Sequence, residues 1–167
     1  MTPSHTLPLM FVRHPEAEKA HFLSDDLRPL SLEGRASFRA HARKLARLTP
    51  MVGIATSPLV RAIQTAEILA EAFGLNTVEI DEKLKPQPRG HKHLLRMARE
   101  RGAGWILVGH NPSLTRAGTL ALAQDSLPGK FSKGTVLALQ PEGRDFSLAW
   151  MAKPGRYLLR PEASSRR

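Results

Sequence analysis

The chain has no cysteine, a single tyrosine and only 5% aromatic residues in 167 positions. The missing thiol excludes disulfides, zinc–thiolate sites and cysteine nucleophiles. The scarcity of aromatics removes the stacking platforms on which single-stranded nucleic acids are read. No apolar run approaches the roughly 18 residues needed to span a bilayer. The first stretch is not expected to act as a secretory leader, because it lacks a basic start and its apolar part ends at Arg13. A cytoplasmic protein without membrane association is the expectation. Acidic residues are also in short supply, 15 Asp and Glu against 25 Lys and Arg, for a net charge of +10. That excess favours anionic partners, phosphorylated molecules or an acidic protein surface, but a merely solvated basic surface explains it equally well. Nucleic acid is the less favoured anion, since no reader motif accompanies the charge.

What is present is enough for a core. Hydrophobic residues make up 41% of the chain, which fits one globular domain over residues 1–167. The Pro/Gly-punctuated basic stretch 155–167 reads as a mobile tail, frayed from Ser164 onward. Strands are expected at residues 9–12, 52–56, 78–80, 105–108, 134–140 and 146–151. Between them lie helical patterns. One runs from an N-cap at Ser31 to Leu48. A second has Ser57 as cap, Pro58 in the first helical position and Gly74 as stop. A third covers residues 91–101, and a fourth is opened by Asn111-Pro112 and ends near Leu122. Residues 16–29 form a polar loop. This alternation implies an α/β fold, a three-layer α/β/α sandwich around a mostly parallel sheet. The last two strands, joined at Glu142-Gly143, add an antiparallel edge.

Three polar clusters follow three of these strands: Arg13-His14, Ser57 to Arg61, and Gly109-His110-Asn111. Strand ends in a parallel sheet share one rim, where ligands bind. Two imidazoles, two guanidiniums and two helix starts would meet there, which is the make-up of an anion site. A neutral imidazole among arginines is a competent nucleophile toward phosphorus. The guanidiniums would hold the phosphoryl oxygens and stabilise the transition-state charge. Such chemistry calls for no metal and no cofactor.

In order and context, Arg13-His14, Ser57-Pro58-Leu59-Val60-Arg61-Ala62-Ile63-Gln64-Thr65-Ala66 and Val108-Gly109-His110-Asn111-Pro112 resemble the signatures of the histidine phosphatase (phosphoglycerate mutase-like) superfamily. The resemblance implies His14 as the phosphorylated nucleophile, with Arg13, Arg61 and His110 completing the phosphate pocket. Asp25-Asp26, Arg28-Pro29-Leu30-Ser31 and Gly34 are similar to the loop–helix entry of the small SixA-type protein-histidine phosphatases. Mutase-like members carry a glutamate acid two residues after a leucine beyond the second helix. Here Leu84-Lys85-Pro86 puts proline there, as in SixA-type members. Such an acid is worth typically 10²–10⁴-fold toward an alkoxide leaving group, whereas an imidazole leaving group takes its proton near neutral pH. The one departure is Pro15, where the family usually has glycine or alanine; proline offers no N–H to a phosphate.

The expected activity is therefore a metal-independent phosphatase working through a phosphohistidine, with protein phosphohistidine as substrate. A small phosphate ester is the alternative substrate, and a non-catalytic phosphoanion- or nucleic-acid-binding module the alternative class. Asn111 and Arg28 are candidate substrate-binding residues, although Arg28 can equally pair with Asp25 or Asp26. Asp81 or Glu82 could replace the missing acid if their loop folds inward. Arg35, Arg39, Arg43 and Arg47 form a basic stripe, either a solvated face or a docking surface for an acidic partner. His91-Lys92-His93 lacks a third ligand and reads as a loop feature rather than a metal site.

Overall fold

The computed structural model describes residues 6–19 and 24–162. Its strands are β1 (Leu9–Arg13), β2 (Gly53–Thr56), β3 (Glu79–Ile80), β4 (Trp105–Gly109), β5 (Val136–Glu142), β6 (Asp145–Lys153) and β7 (Arg156–Leu159). The helices are α1 (Leu32–Leu48), α2 (Val60–Phe73), α3 (Gly90–Arg101) and α4 (Ser113–Leu122). All strands join one sheet in the order β3-β2-β4-β1-β5-β6-β7. β3, β2, β4 and β1 pair in parallel, and β5, β6 and β7 continue antiparallel from β1. The fold is the expected α/β sandwich, with parallel strands at the centre and an antiparallel edge.

The period of two along β1 divides the core. Met10 and Val12 pack with Phe38, Ala42 and Leu45 of α1 and Ala62, Ala66 and Leu69 of α2. Leu9 and Phe11 point the other way, toward Leu94 and Met97 of α3 and Leu114 and Ala117 of α4. Because helices cover both faces, the strand is an unbroken apolar run rather than an alternating one. Leu9, Met10, Phe11 and Val12 are all fully buried.

Four local readings need correction. His91-Lys92-His93, read as a loop feature, lies in the first turn of α3. Ser57 and Pro58 do not open the second helix, which begins at Val60 after Leu59. Ser57 is completely buried at the end of β2, where its hydroxyl accepts from the Leu59 N–H and also meets a histidine. Pro112 likewise precedes α4 rather than starting it, while Asn111 Oδ1 does accept from the Thr115 N–H. The expected tail is shorter, since residues 156–159 pair with β6 as β7. Side chains there have apolar ground to cover: Tyr157 packs on one core cluster and Leu158 on the other. The fraying expected at Ser164 and beyond lies outside the described residues.

The loop after β1 is tied at both ends. Glu18 N–H donates to the Pro29 carbonyl at 2.8 Å, and Ser31 N–H to the Glu16 carbonyl at 3.0 Å. Ser31 caps α1 by accepting from Gly34 N–H at 2.9 Å. Gly34 has no Cβ for a reason, because one would collide with the Glu16 carbonyl oxygen. Gly34→Ala should therefore lower stability by about 1–3 kcal/mol, the usual cost of overpacking, read as a lower urea midpoint. An unchanged midpoint would show that the loop yields freely.

Candidate active site

The sheet register brings the polar clusters together. Arg13 lies opposite Gly109, and Thr56 opposite Val108, so β1, β2 and β4 end at one rim. From that rim rise His14, His110 and Ser57, with Arg61 entering from the first turn of α2. The His14 and His110 rings sit 5.7 Å apart between centroids, and both side chains are buried.

The partners of His14 define its protonation. Nδ1 lies 2.7 Å from the carbonyl oxygen of Pro15, which can only accept. Nε2 lies 3.2 Å from Nε of Arg61, which can only donate. Nδ1 must then carry the proton, leaving the Nε2 lone pair facing the guanidinium. This also accounts for Pro15. What the site takes from residue 15 is a carbonyl, which proline retains.

Arg61 is itself held at three nitrogens. Besides Nε on His14, Nη1 donates to the Asp25 carbonyl at 2.7 Å and Nη2 to the Asp25 carboxylate at 3.0 Å. Arg28 reaches the same carboxylate at 2.8 Å and the Glu18 carbonyl at 3.1 Å. Of the two options open for Arg28, it takes the pairing with Asp25, so it joins the site through Asp25 and Arg61. Arg13 Nη1 and Asn111 Nδ2 both donate to the Phe131 carbonyl, at 2.9 and 2.8 Å. Asn111 Oδ1 accepts from Thr115. Asn111 thus braces the wall of the site. His110 Nε2 is 2.8 Å from Ser57 Oγ.

Burial first, and then the positive charges of Arg61, Arg13 and Lys133, push the His14 pKa down to about 4 against the pull of the Pro15 carbonyl. His110 is pushed to about 3, again mainly by burial, with His14, Arg61 and Arg13 adding to it and Asp25 opposing. Burial raises the Asp25 carboxyl, but the hydrogen bonds and charges of Arg28 and Arg61 outweigh it and hold the group below the ordinary range. At neutral pH the rim therefore carries two neutral imidazoles, two guanidiniums and one ionised carboxylate. Asp81 and Glu82 stay out: Asp81 caps a turn at Lys83, and Glu82 pairs with Lys85.

Sequence reasoning missed three of these contributors. In the sequence Asp25 reads as a partner for Arg28 within the loop–helix entry and Ser57 as a helix cap opening the second polar cluster, neither with its contact at the rim, and Phe131 does not stand out at all. Asp25 carried a signal in its spacing from Arg28. The carbonyl of Phe131 carried none, since every residue has one.

Residues 9–114 match the sequence pattern of the histidine phosphatase superfamily (branch 1). The chain belongs to that superfamily. It is accordingly a phosphatase, and its fold is of the SixA type. An uncharacterized protein of Picosynechococcus sp. is 33% identical over 140 residues, covering 80% of this chain and 85% of the relative. Among solved structures, the protein histidine phosphatase SixA complexed with tungstate superposes with a TM-score of 0.75 at 21% identity, covering 89% of this chain and 97% of the other. A protein assigned as phosphohistidine phosphatase SixA, from Agrobacterium tumefaciens, gives 0.72 at 25% identity, covering 90% and 99%. A mycobacterial glucosyl-3-phosphoglycerate phosphatase with inorganic phosphate gives 0.61 at 18%, covering 84% and 93%. Among the described residues no helix is long and apolar enough to cross a membrane.

The buried histidines carry a pH signature. The folded pKa values lie below the unfolded value of about 6.5, so the unfolded chain takes up protons first on acidification. Stability is then full above about pH 6.5 and declines as the pH falls toward about 4 and 3, the values of His14 and His110. Urea midpoints should drop between pH 7 and pH 5, and proton NMR should show both imidazoles neutral at pH 5. Either ring titrating near 6.5 would contradict the burial argument.

Proposed function

We propose that this phosphatase hydrolyses phosphohistidine on a protein, through a phosphohistidine formed on its own His14. Nε2 of His14 attacks phosphorus, the new N–P bond replaces the substrate's N–P bond, and the substrate imidazole departs, taking its proton from solvent water. Water then attacks the phosphorus on His14, inorganic phosphate leaves, and Nε2 regains its lone pair. Arg13 and Arg61 hold phosphoryl oxygens as charge spreads over them, and His110 adds a donor or acceptor from the opposite side. Arg28 and Asn111 act at one remove, the first fixing Asp25 and the second fixing the Phe131 wall.

The observation that carries the substrate choice is the state of the carboxylates. Asp25, the carboxylate bound to Arg61, is held ionised by two guanidiniums and has no proton to give at neutral pH. Asp81 and Glu82 are engaged elsewhere. Among the described residues these three carboxylates offer an alkoxide leaving group no proton, which a phosphoramidate substrate does not need. The fold shared with the SixA structures supports the same reading.

Turnover of a phosphohistidine-bearing protein should exceed that of p-nitrophenyl phosphate or a sugar phosphate, the ester deficit approaching the roughly 10²–10⁴-fold that an acid supplies. Equal turnover of sugar phosphates would move the assignment to small esters. Turnover of neither, with phosphate still bound, would make it a binding module. His14→Ala should abolish both phosphate release and an acid-labile phosphoenzyme. Arg61→Lys keeps the charge but removes the fork and the N–H aimed at Nε2, so kcat should fall by about 10²–10³-fold. A variant with unaltered kcat would exclude Arg61 from the transition state.

A further inference from the structure

Away from the phosphoryl rim, a second cavity of about 360 Å³ lies where α1 meets the β6–β7 turn. His41, Lys44, Lys153, Arg156, Tyr157 and Arg160 line it, and no acidic residue does. None of its four cations forms an ion pair among the described residues. Four like charges gathered around one hollow repel each other, and among the described residues no ion pair offsets that repulsion. His41 adds an independent oddity. Its side chain is 5% exposed, and its Nε2 has no hydrogen-bond partner among the described residues. A buried polar atom without a partner is destabilising and calls for an explanation.

The remaining wall is of a different character. Leu45 and Ala152 supply apolar surface, and the half-buried ring of Tyr157 has the Arg160 guanidinium 5.7 Å from its centre. A cavity of this size lies at the small-molecule end of ligand sites. Phosphate suits the cations, because guanidinium forks and ammonium groups are its usual protein partners. A planar body suits the tyrosine and the apolar wall.

We infer that this cavity is a second anion site, separate from His14, for a phosphate-bearing ligand with a planar body, a nucleoside phosphate in its simplest form. The phosphate meets Arg156, Arg160, Lys44 and Lys153, while the base lies along Tyr157. Nothing in this assignment depends on the phosphoryl-transfer reading, since no lining residue belongs to the catalytic rim.

Calorimetric titration of the full chain with ADP, pyrophosphate and adenosine tests it. ADP should bind wild type and Arg61→Ala alike. In an Arg156→Glu/Arg160→Glu double variant its affinity should fall by at least about tenfold, the scale of one or two lost charge-assisted hydrogen bonds. Both positions are exposed, so the variant should fold, checked by circular dichroism, and should retain wild-type turnover without ADP. The His41 and Tyr157 resonances should shift on ADP addition. No ADP binding up to about 1 mM, where affinity is only about 4 kcal/mol, overturns the site. So does binding lost in Arg61→Ala but kept in the double variant. Pyrophosphate binding as well as ADP overturns the planar body, and adenosine binding as well as ADP overturns the anion.

Discussion

Arg61 donates its Nε–H to Nε2 of His14, and the chemistry of the rim hangs on that contact. A guanidinium cannot accept a hydrogen bond, so its presence selects one imidazole tautomer and excludes the protonated ring. The Pro15 carbonyl makes the same selection from the other side. Two groups that cannot change role thus fix the one that can. Removing either leaves the nucleophile free to rotate or to take the wrong proton.

The arrangement is assembled from parts that the sheet delivers separately. β1 brings the histidine and β4 its companion, at matched heights because Arg13 pairs with Gly109. α2 brings the guanidinium from its first turn, and the loop after β1 returns to hold it through Asp25. Burial then does electrostatic work, keeping both imidazoles uncharged beside two permanent cations. The same burial that prepares the nucleophile is expected to cost the fold stability in acid.

The fold was legible in the sequence where periodicity was strong. The apolar runs at β1 and β4 and the spacing from Val60 to Phe73 each pointed to one element type. That Arg13, His14, Arg61 and His110 share one rim was legible too, because each sits at the end of a strand or shortly beyond it. What escaped was decided by tertiary contact. Ser57 has a cap's chemistry and still accepts from the Leu59 N–H, but burial also sets its hydroxyl against His110, ahead of a helix that starts only at Val60. Residues 156–159 lie in a basic stretch and are entered through Gly155, yet pairing with β6 makes them a strand. Asp25 reaches Arg61 across 36 positions of chain, a closure that no local pattern encodes.

Pro15 has one consequence of its own. The acceptor for the imidazole N–H belongs to the very next residue, so few rotatable bonds separate the two groups. The pyrrolidine ring removes one of them, the φ of residue 15. The ring therefore restricts the unfolded chain as well as the folded one, and part of the ordering entropy at the nucleophile is already spent before the chain folds.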